Sequence, residues 1–242
     1  GSGTWLDVAI RPARDGPQAM IPIFEGKELF AYHHRGSSGY LLITFSGAGH
    51  VDYAGHWFLM KDVVQRNDIN CIGITSNTRN FFLTDEMSEI ERVTRSIRKS
   101  FKTIILLGPS MGAYAAIKYS RTLGATHVLS FSPQYSMDAD ELELAEDQKV
   151  YLRSGMIAHR IVRKDIYRTM APRPEEVSGR IVIVYDTAEI IDTFAARMFE
   201  RKLPNVVVQG YRIIGHFALD MYDSDVLFLE LMALIKADDT EG

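Results

Sequence analysis

The stretch that most restricts this chain is Thr103 to Lys118, TIILLGPSMGAYAAIK. Its first half, Ile104-Ile105-Leu106-Leu107, is an unbroken branched apolar run, the pattern of a strand covered on both faces. Its second half, Met111 to Leu123, reads as an alanine-rich helix. Between them stands Gly108-Pro109-Ser110-Met111-Gly112, a G-x-S-x-G pentapeptide. A serine held on a sharp turn needs neighbours two positions away without side chains, because strand and helix backbones nearly touch there. Ala113, Ala115 and Ala116 keep the start of the helix small. Such a pentapeptide arises by composition alone in roughly one chain in ten of this size. Its weight here comes from the buried strand before it and the helix after it.

The rest of the chain alternates around that stretch. Extended pieces are expected at Leu6–Ile10, Ala19–Phe24 and Glu28–His34, broken by Pro12, Gly16-Pro17 and Gly26. The turn Gly36-Ser37-Ser38-Gly39 then leads into a strong strand, Tyr40–Phe45. After it come a helix near Ala54–Arg66, strand Ile69–Thr75 and a helix near Glu86–Lys99. Strand His127–Phe131 follows the elbow helix. Later come strand Arg180–Tyr185, helix Thr193–Arg201, strand Asn205–Ile213 and a final helix near Asp225–Ile235. Strands alternating with helices of this length predict βαβ units, a mainly parallel sheet and helices on both of its faces.

At 242 residues and 46% hydrophobic, the chain suffices for one large core, and a single α/β domain over residues 4–242 is expected. Gly1-Ser2-Gly3 reads as an expression scar. A net charge of −4 calls for neither nucleic acid nor a membrane surface. No apolar run has the length of a membrane span. The one cysteine, Cys71, lies in a strand-like apolar run as packed core, and cysteine usage fits a cytoplasmic protein. There is no G-x-x-x-x-G-K-[ST], no G-x-G-x-x-G and no metal-ligand spacing, so neither cofactor nor metal is expected.

On the GPSMG elbow and this strand and helix order, the sequence resembles the α/β-hydrolase superfamily along nearly its whole length. The resemblance implies a serine nucleophile, an acid and a histidine, in that chain order. Ser110 is then the nucleophile, a poor one unless a neighbouring base removes its proton. The base is expected just past the last strand, where Gly215-His216 stands. The acid is expected in the loop after Ile181–Tyr185, which offers Asp186, Glu189 and Asp192. Members of the superfamily often carry a glycine at the strand end and the acid three residues on. Laid on this sequence, Asp186 takes the glycine's place and Glu189 the acid's. Asp186 is the direct rival, and Asp192 is read as the cap of a helix beginning at Thr193.

The resemblance also implies two backbone N–H donors for the developing oxyanion, one from Met111 and one from Gly47 or Ala48 in the loop Ser46-Gly47-Ala48-Gly49-His50. Residues 133–179 fall where the superfamily inserts a helical cap. Asp138 to Asp147 carries six acids and no base, whereas Lys149 to Arg180 holds eight basic residues against three acids. Those faces are either solvated and mutually attractive or a basic cap offering Arg153, Arg160, Arg163 or Arg168 to an anionic substrate group. His50, Trp57, Phe58, Phe81 and Phe82 lie near the expected mouth, as substrate contacts or as core. The implied activity is hydrolysis of an ester or thioester, on a small molecule or a carrier, through an acyl-enzyme. Alternatives are acyl transfer on the same residues or a binding protein without catalysis.

Overall fold

A computed structural model describes residues 20–55, 57–137 and 170–212, together with Glu141, Gly215 and Ala233. The described strands are β1 (Ile21–Glu25), β2 (Leu29–His34), β3 (Leu41–Phe45), β4 (Asn70–Ser76), β5 (Ile104–Pro109), β6 (His127–Phe131), β7 (Arg180–Asp186) and β8 (Val206–Tyr211). The helices are α1 (Lys61–Arg66), α2 (Glu86–Arg98), α3 (Met111–Lys118), α4 (Ser120–Leu123) and α5 (Ile190–Lys202), with 3-10 turns at Ala48–Tyr53 and Pro174–Glu176. The expected strand Leu6–Ile10, the helix near Asp225–Ile235 and most of the cap-like segment lie outside the described residues.

The strands form one sheet in the order β1-β2-β4-β3-β5-β6-β7-β8. β1 and β2 are antiparallel, as are β2 and β4, and every later pairing is parallel. The antiparallel opening is short because tight turns suffice there, whereas each parallel step needs a crossover. β3, β5 and β6 are buried nearly end to end, as their continuous apolar runs require. One face packs against α2, α3, α4 and α5, the other against α1 and the Trp57–Met60 segment. The chain reverses direction across the sheet at β3, which has β4 on one side and β5 on the other. Loops leaving the carboxyl ends of β3 and β5 therefore diverge and open a crevice between them.

Local chemistry moved several boundaries. The expected helix over 54–66 is reduced to α1 because Gly55 and Met60 adopt positive φ, +91° and +65°. The segment between them drops an aromatic ring into the sheet. A Cβ on Gly73 would lie 2.2 Å from the Phe58 ring, so that glycine makes the socket for Phe58. The elbow helix also divides, because Ser120 Oγ donates back to the Ile117 carbonyl at 2.8 Å and competes with the helical ladder. Its second part ends on Gly124 at φ +74°, a left-handed stop. α5 begins at Ile190 with Glu189 as its N-cap residue, which corrects the expectation that Asp192 caps a helix starting at Thr193. Asp192 sits inside the first turn and is buried.

Candidate active site

β5 delivers Ser110 to the crevice and α3 carries the chain away. Ser110 sits at φ +51°, ψ −114°, a conformation that a non-glycine residue holds only when its surroundings impose it. Both flanking glycines are needed for that turn. A Cβ on Gly108 would lie 2.4 Å from the Gly112 carbonyl carbon, and one on Gly112 would lie 2.4 Å from the Phe45 carbonyl oxygen. The first contact closes the turn on itself; the second presses α3 onto the end of β3. The Ser110 N–H donates to the Phe131 carbonyl at 2.7 Å, tying the elbow to β6 as well. The serine hydroxyl remains part-exposed while Met111 to Ile117 behind it are buried.

The loop from β3 meets the elbow from the other side. Gly47 is buried, and a Cβ there would stand 3.2 Å from the Pro109 ring. Gly47 precedes the 3-10 turn, whose start is closed by the His50 N–H donating to the Gly47 carbonyl at 3.1 Å. The Ala48 carbonyl accepts Arg79 Nε at 3.4 Å. Met111 opens α3, so its N–H belongs to the first turn, where helical amides have no acceptor within the helix. The two expected donor segments therefore border the same serine. His50 continues this loop and stacks on Trp57 with ring centroids 4.8 Å apart. Phe58, Phe81 and Phe82 are core: Phe82 meets Phe45 edge-on at 5.2 Å and Phe81 meets Tyr114 edge-on at 5.6 Å.

The carboxylates after β7 separate clearly. Asp186 is 2% exposed at the end of the strand, and its Oδ1 accepts the Ala188 N–H at 2.8 Å. Its Oδ2 accepts the Gly215 N–H at 2.5 Å, on the residue directly before His216. Glu189 is exposed at the N-terminus of α5. His216, Arg153, Arg160, Arg163 and Arg168 lie outside the described residues.

One polar group beside Ser110 had no signal in the sequence. Gln134, three residues beyond β6, brings its Oε1 to 3.3 Å from Ser110 Oγ, which donates to it. A glutamine after Ser-Pro belongs to no catalytic motif, and only the pairing of β5 with β6 brings it to the elbow. Cys71 is fully buried in β4, and burial pushes its thiol up, away from nucleophilic use. Among the described residues, no group of three His, Cys, Asp or Glu is placed to hold a metal, and no helix is long and apolar enough to cross a membrane.

No protein-family model matches the chain, and no curated protein matches it by sequence. Solved structures do match by fold. An acylaminoacyl peptidase bound to Z-Gly-Gly-Phe-chloromethyl ketone superposes with TM-score 0.58 at 13% identity, over 89% of this chain and 41% of that one. The chain thus spans about two-fifths of that peptidase's length. An esterase of Pyrococcus furiosus aligns at TM-score 0.53 and 14% identity, over 90% of each chain. The capsule O-acetyltransferase of Neisseria meningitidis serogroup A aligns at TM-score 0.59 and 14% identity, over 87% of this chain and 93% of that one. The chain has the α/β-hydrolase fold.

Proposed function

We propose that this protein is a serine hydrolase that cleaves a carboxylic ester or thioester through an acyl-enzyme on Ser110. The observation that carries the reading is the backbone of Ser110, held at φ +51° by two glycines that each touch another backbone. That conformation is costly, and it presents the hydroxyl at the crevice between β3 and β5. Ser110 Oγ attacks the carbonyl carbon as His216 takes its proton. The proton then passes to the departing alcohol or thiol. Met111 N–H and a donor from Gly47 or Ala48 hold the oxyanion. Asp186 orients the histidine, in preference to Glu189, because its carboxylate is buried and grips the adjoining Gly215. Water completes the cycle, and no cofactor enters the chemistry.

The folds that align with this chain include an esterase, a peptidase and an O-acetyltransferase, which share acyl transfer as a common step. Intact mass after incubation with a fluorophosphonate tests the reading directly. One adduct on the wild type, absent from Ser110→Ala, is the expected result. A folded wild-type protein that acquires no adduct would overturn it. A series of p-nitrophenyl esters of increasing chain length then sizes the acyl pocket.

A further inference from the structure

Three aromatic side chains gather on the loop that brings Gly47 to the elbow. His50 stacks on Trp57 with ring centroids 4.8 Å apart, and Tyr53 tilts toward both, at 6.4 Å and 6.3 Å. No residue of the 3-10 turn Ala48–Tyr53 is buried, so the turn does not extend the core. Trp57 is part-exposed where it packs beside Phe58 and its neighbours, and Tyr53 is 58% exposed. One glycine links this cluster to the elbow. A Cβ on Gly47 would stand 3.2 Å from the Pro109 ring and 3.5 Å from His50 Nδ1, so the imidazole and the residue before Ser110 flank the same Cα. Apolar ring surface left in water beside a crevice contributes free energy only when a ligand covers it.

The surroundings narrow what that ligand is. Phe58, Phe81 and Phe82, the other rings expected at the mouth, are core and offer no wall for a long acyl chain. The turn has a charge of each sign close by: Asp52 is exposed next to Tyr53, and Arg79 Nε donates to the Ala48 carbonyl at 3.4 Å. An ammonium ligand would meet the guanidinium, and an anion would meet the carboxylate. A neutral ring with an apolar C–H face and hydroxyls around its edge suits both the aromatic faces and the mixed charges, and a pyranose has that chemistry. We propose that the substrate is an acylated saccharide whose ring stacks on the Tyr53–Trp57 platform while a short acyl group lies at Ser110. The inference rests on the acyl-enzyme reading above and names its substrate class. The sugar supplies the alkoxy oxygen of the ester. Ser110 Oγ bonds to the carbonyl carbon, the bond from that carbon to the sugar oxygen breaks, and the serine's proton passes through His216 to that oxygen. Water then takes the acyl group as the free acid and its proton returns to Oγ. The rings touch no reacting atom; they hold the sugar while its ester reacts.

The test compares acetate release from 6-O-acetylglucose and from glycerol monoacetate, which has the same acetyl group and free hydroxyls but no ring. The wild type should show a kcat/KM at least about tenfold higher for the sugar ester. Tyr53→Ala should lower that ratio about fivefold or more, with the loss mainly in KM, because the phenol touches no reacting atom. Tyr53→Phe keeps the ring and should hold the ratio within about twofold of wild type. The ratio of two substrates does not depend on how much of a variant folds. A wild type that labels with a fluorophosphonate yet shows no preference for the ring, or releases acetate from neither ester, would overturn the platform and leave the serine reading intact. A preference that survives in Tyr53→Ala would do the same. A folded wild type that neither labels nor releases acetate would overturn the serine reading, and this inference with it.

Discussion

Asp186 holds Gly215: from the last position of β7, its Oδ2 accepts the N–H of that glycine beyond β8 at 2.5 Å. Oδ1 is meanwhile fixed by Ala188, so the carboxylate spans from the sheet edge to the segment bearing His216. Gly215 is at φ +72°, which lets the chain turn there at little cost. Asp186→Asn should therefore lower kcat/KM for an activated ester by about a thousandfold or more, the scale seen when a histidine loses its orienting acid. Glu189→Gln, at an exposed helix start, should stay within about twofold. Equal losses in the two variants would reject Asp186 as the orienting acid.

The elbow glycines allow a sharper stability test. Gly112→Ala would put a methyl 2.4 Å from the Phe45 carbonyl oxygen, between two backbones that cannot move apart independently. The cost should be about 3 kcal/mol, at the upper end for overpacking, seen as a lower urea midpoint. Gly49→Ala meets nothing within 4 Å and should shift stability by less than about 0.5 kcal/mol. The folded fraction of Gly112→Ala should also label more slowly with a fluorophosphonate, because the shift needed to admit the methyl displaces both Ser110 and the loop after β3.

Most of the sheet was legible because its strands are continuous apolar runs. β6 falls on the expected His127–Phe131, and β3, β4, β5 and β7 differ from expectation by a residue or two. The failures share a cause, namely side chains serving tertiary needs. The Trp57–Met60 segment has helical composition but feeds Phe58 into the socket over Gly73. Ser120 breaks a helix whose propensity favours continuation, and its hydroxyl also receives the Ser178 N–H at 2.9 Å. At the site, Ser110 was visible because backbone contact demands glycine on either side. The choice between Asp186 and Glu189 depended on burial, and Gln134 on a neighbouring strand, neither of which has a local pattern.

Glu86 secures the antiparallel opening from α2. Its carboxylate accepts the N–H groups of Lys27 at 2.7 Å, Glu28 at 3.0 Å and Leu29 at 2.8 Å, gripping the β1–β2 turn. Burial alone would raise its pKa. The three backbone donors and the Lys27 charge outweigh that and hold it below the ordinary carboxylate range. A depressed folded pKa means stabilisation that is fully present above the unfolded value, about 4.3, and is lost as pH falls through the folded value. Wild-type stability should therefore drop on acidification more than that of Glu86→Gln. At about pH 7 the variant should be weaker by on the order of 1 kcal/mol, since solvent screens a partly exposed group. Urea midpoints at the two pH values check the sign.

Tyr114 connects the elbow helix to the returning end of the 138–169 segment. Its hydroxyl is fully buried and donates to the Met170 carbonyl at 2.6 Å. Burial, with the nearby Tyr119, Glu176 and Glu141, raises its pKa well above the ordinary phenol value, so it stays a donor. The residues flanking the segment also meet each other, the Met137 N–H lying 3.0 Å from Met170 Sδ, and Glu141 accepts the Ala171 N–H at 3.4 Å. Tyr114→Phe preserves the ring packing against Phe81 and removes only the donor, leaving a buried carbonyl unpaired. The expected loss is about 1–3 kcal/mol, measured by urea unfolding. Because the phenol is bonded to Met170 and packs on Phe81, the fluorophosphonate labelling rate of the folded variant should remain within about twofold of wild type. A stability loss with unchanged labelling would make this contact an anchor for the segment. A labelling rate that fell with an unchanged urea midpoint would instead mean that the returning end shapes access to the serine.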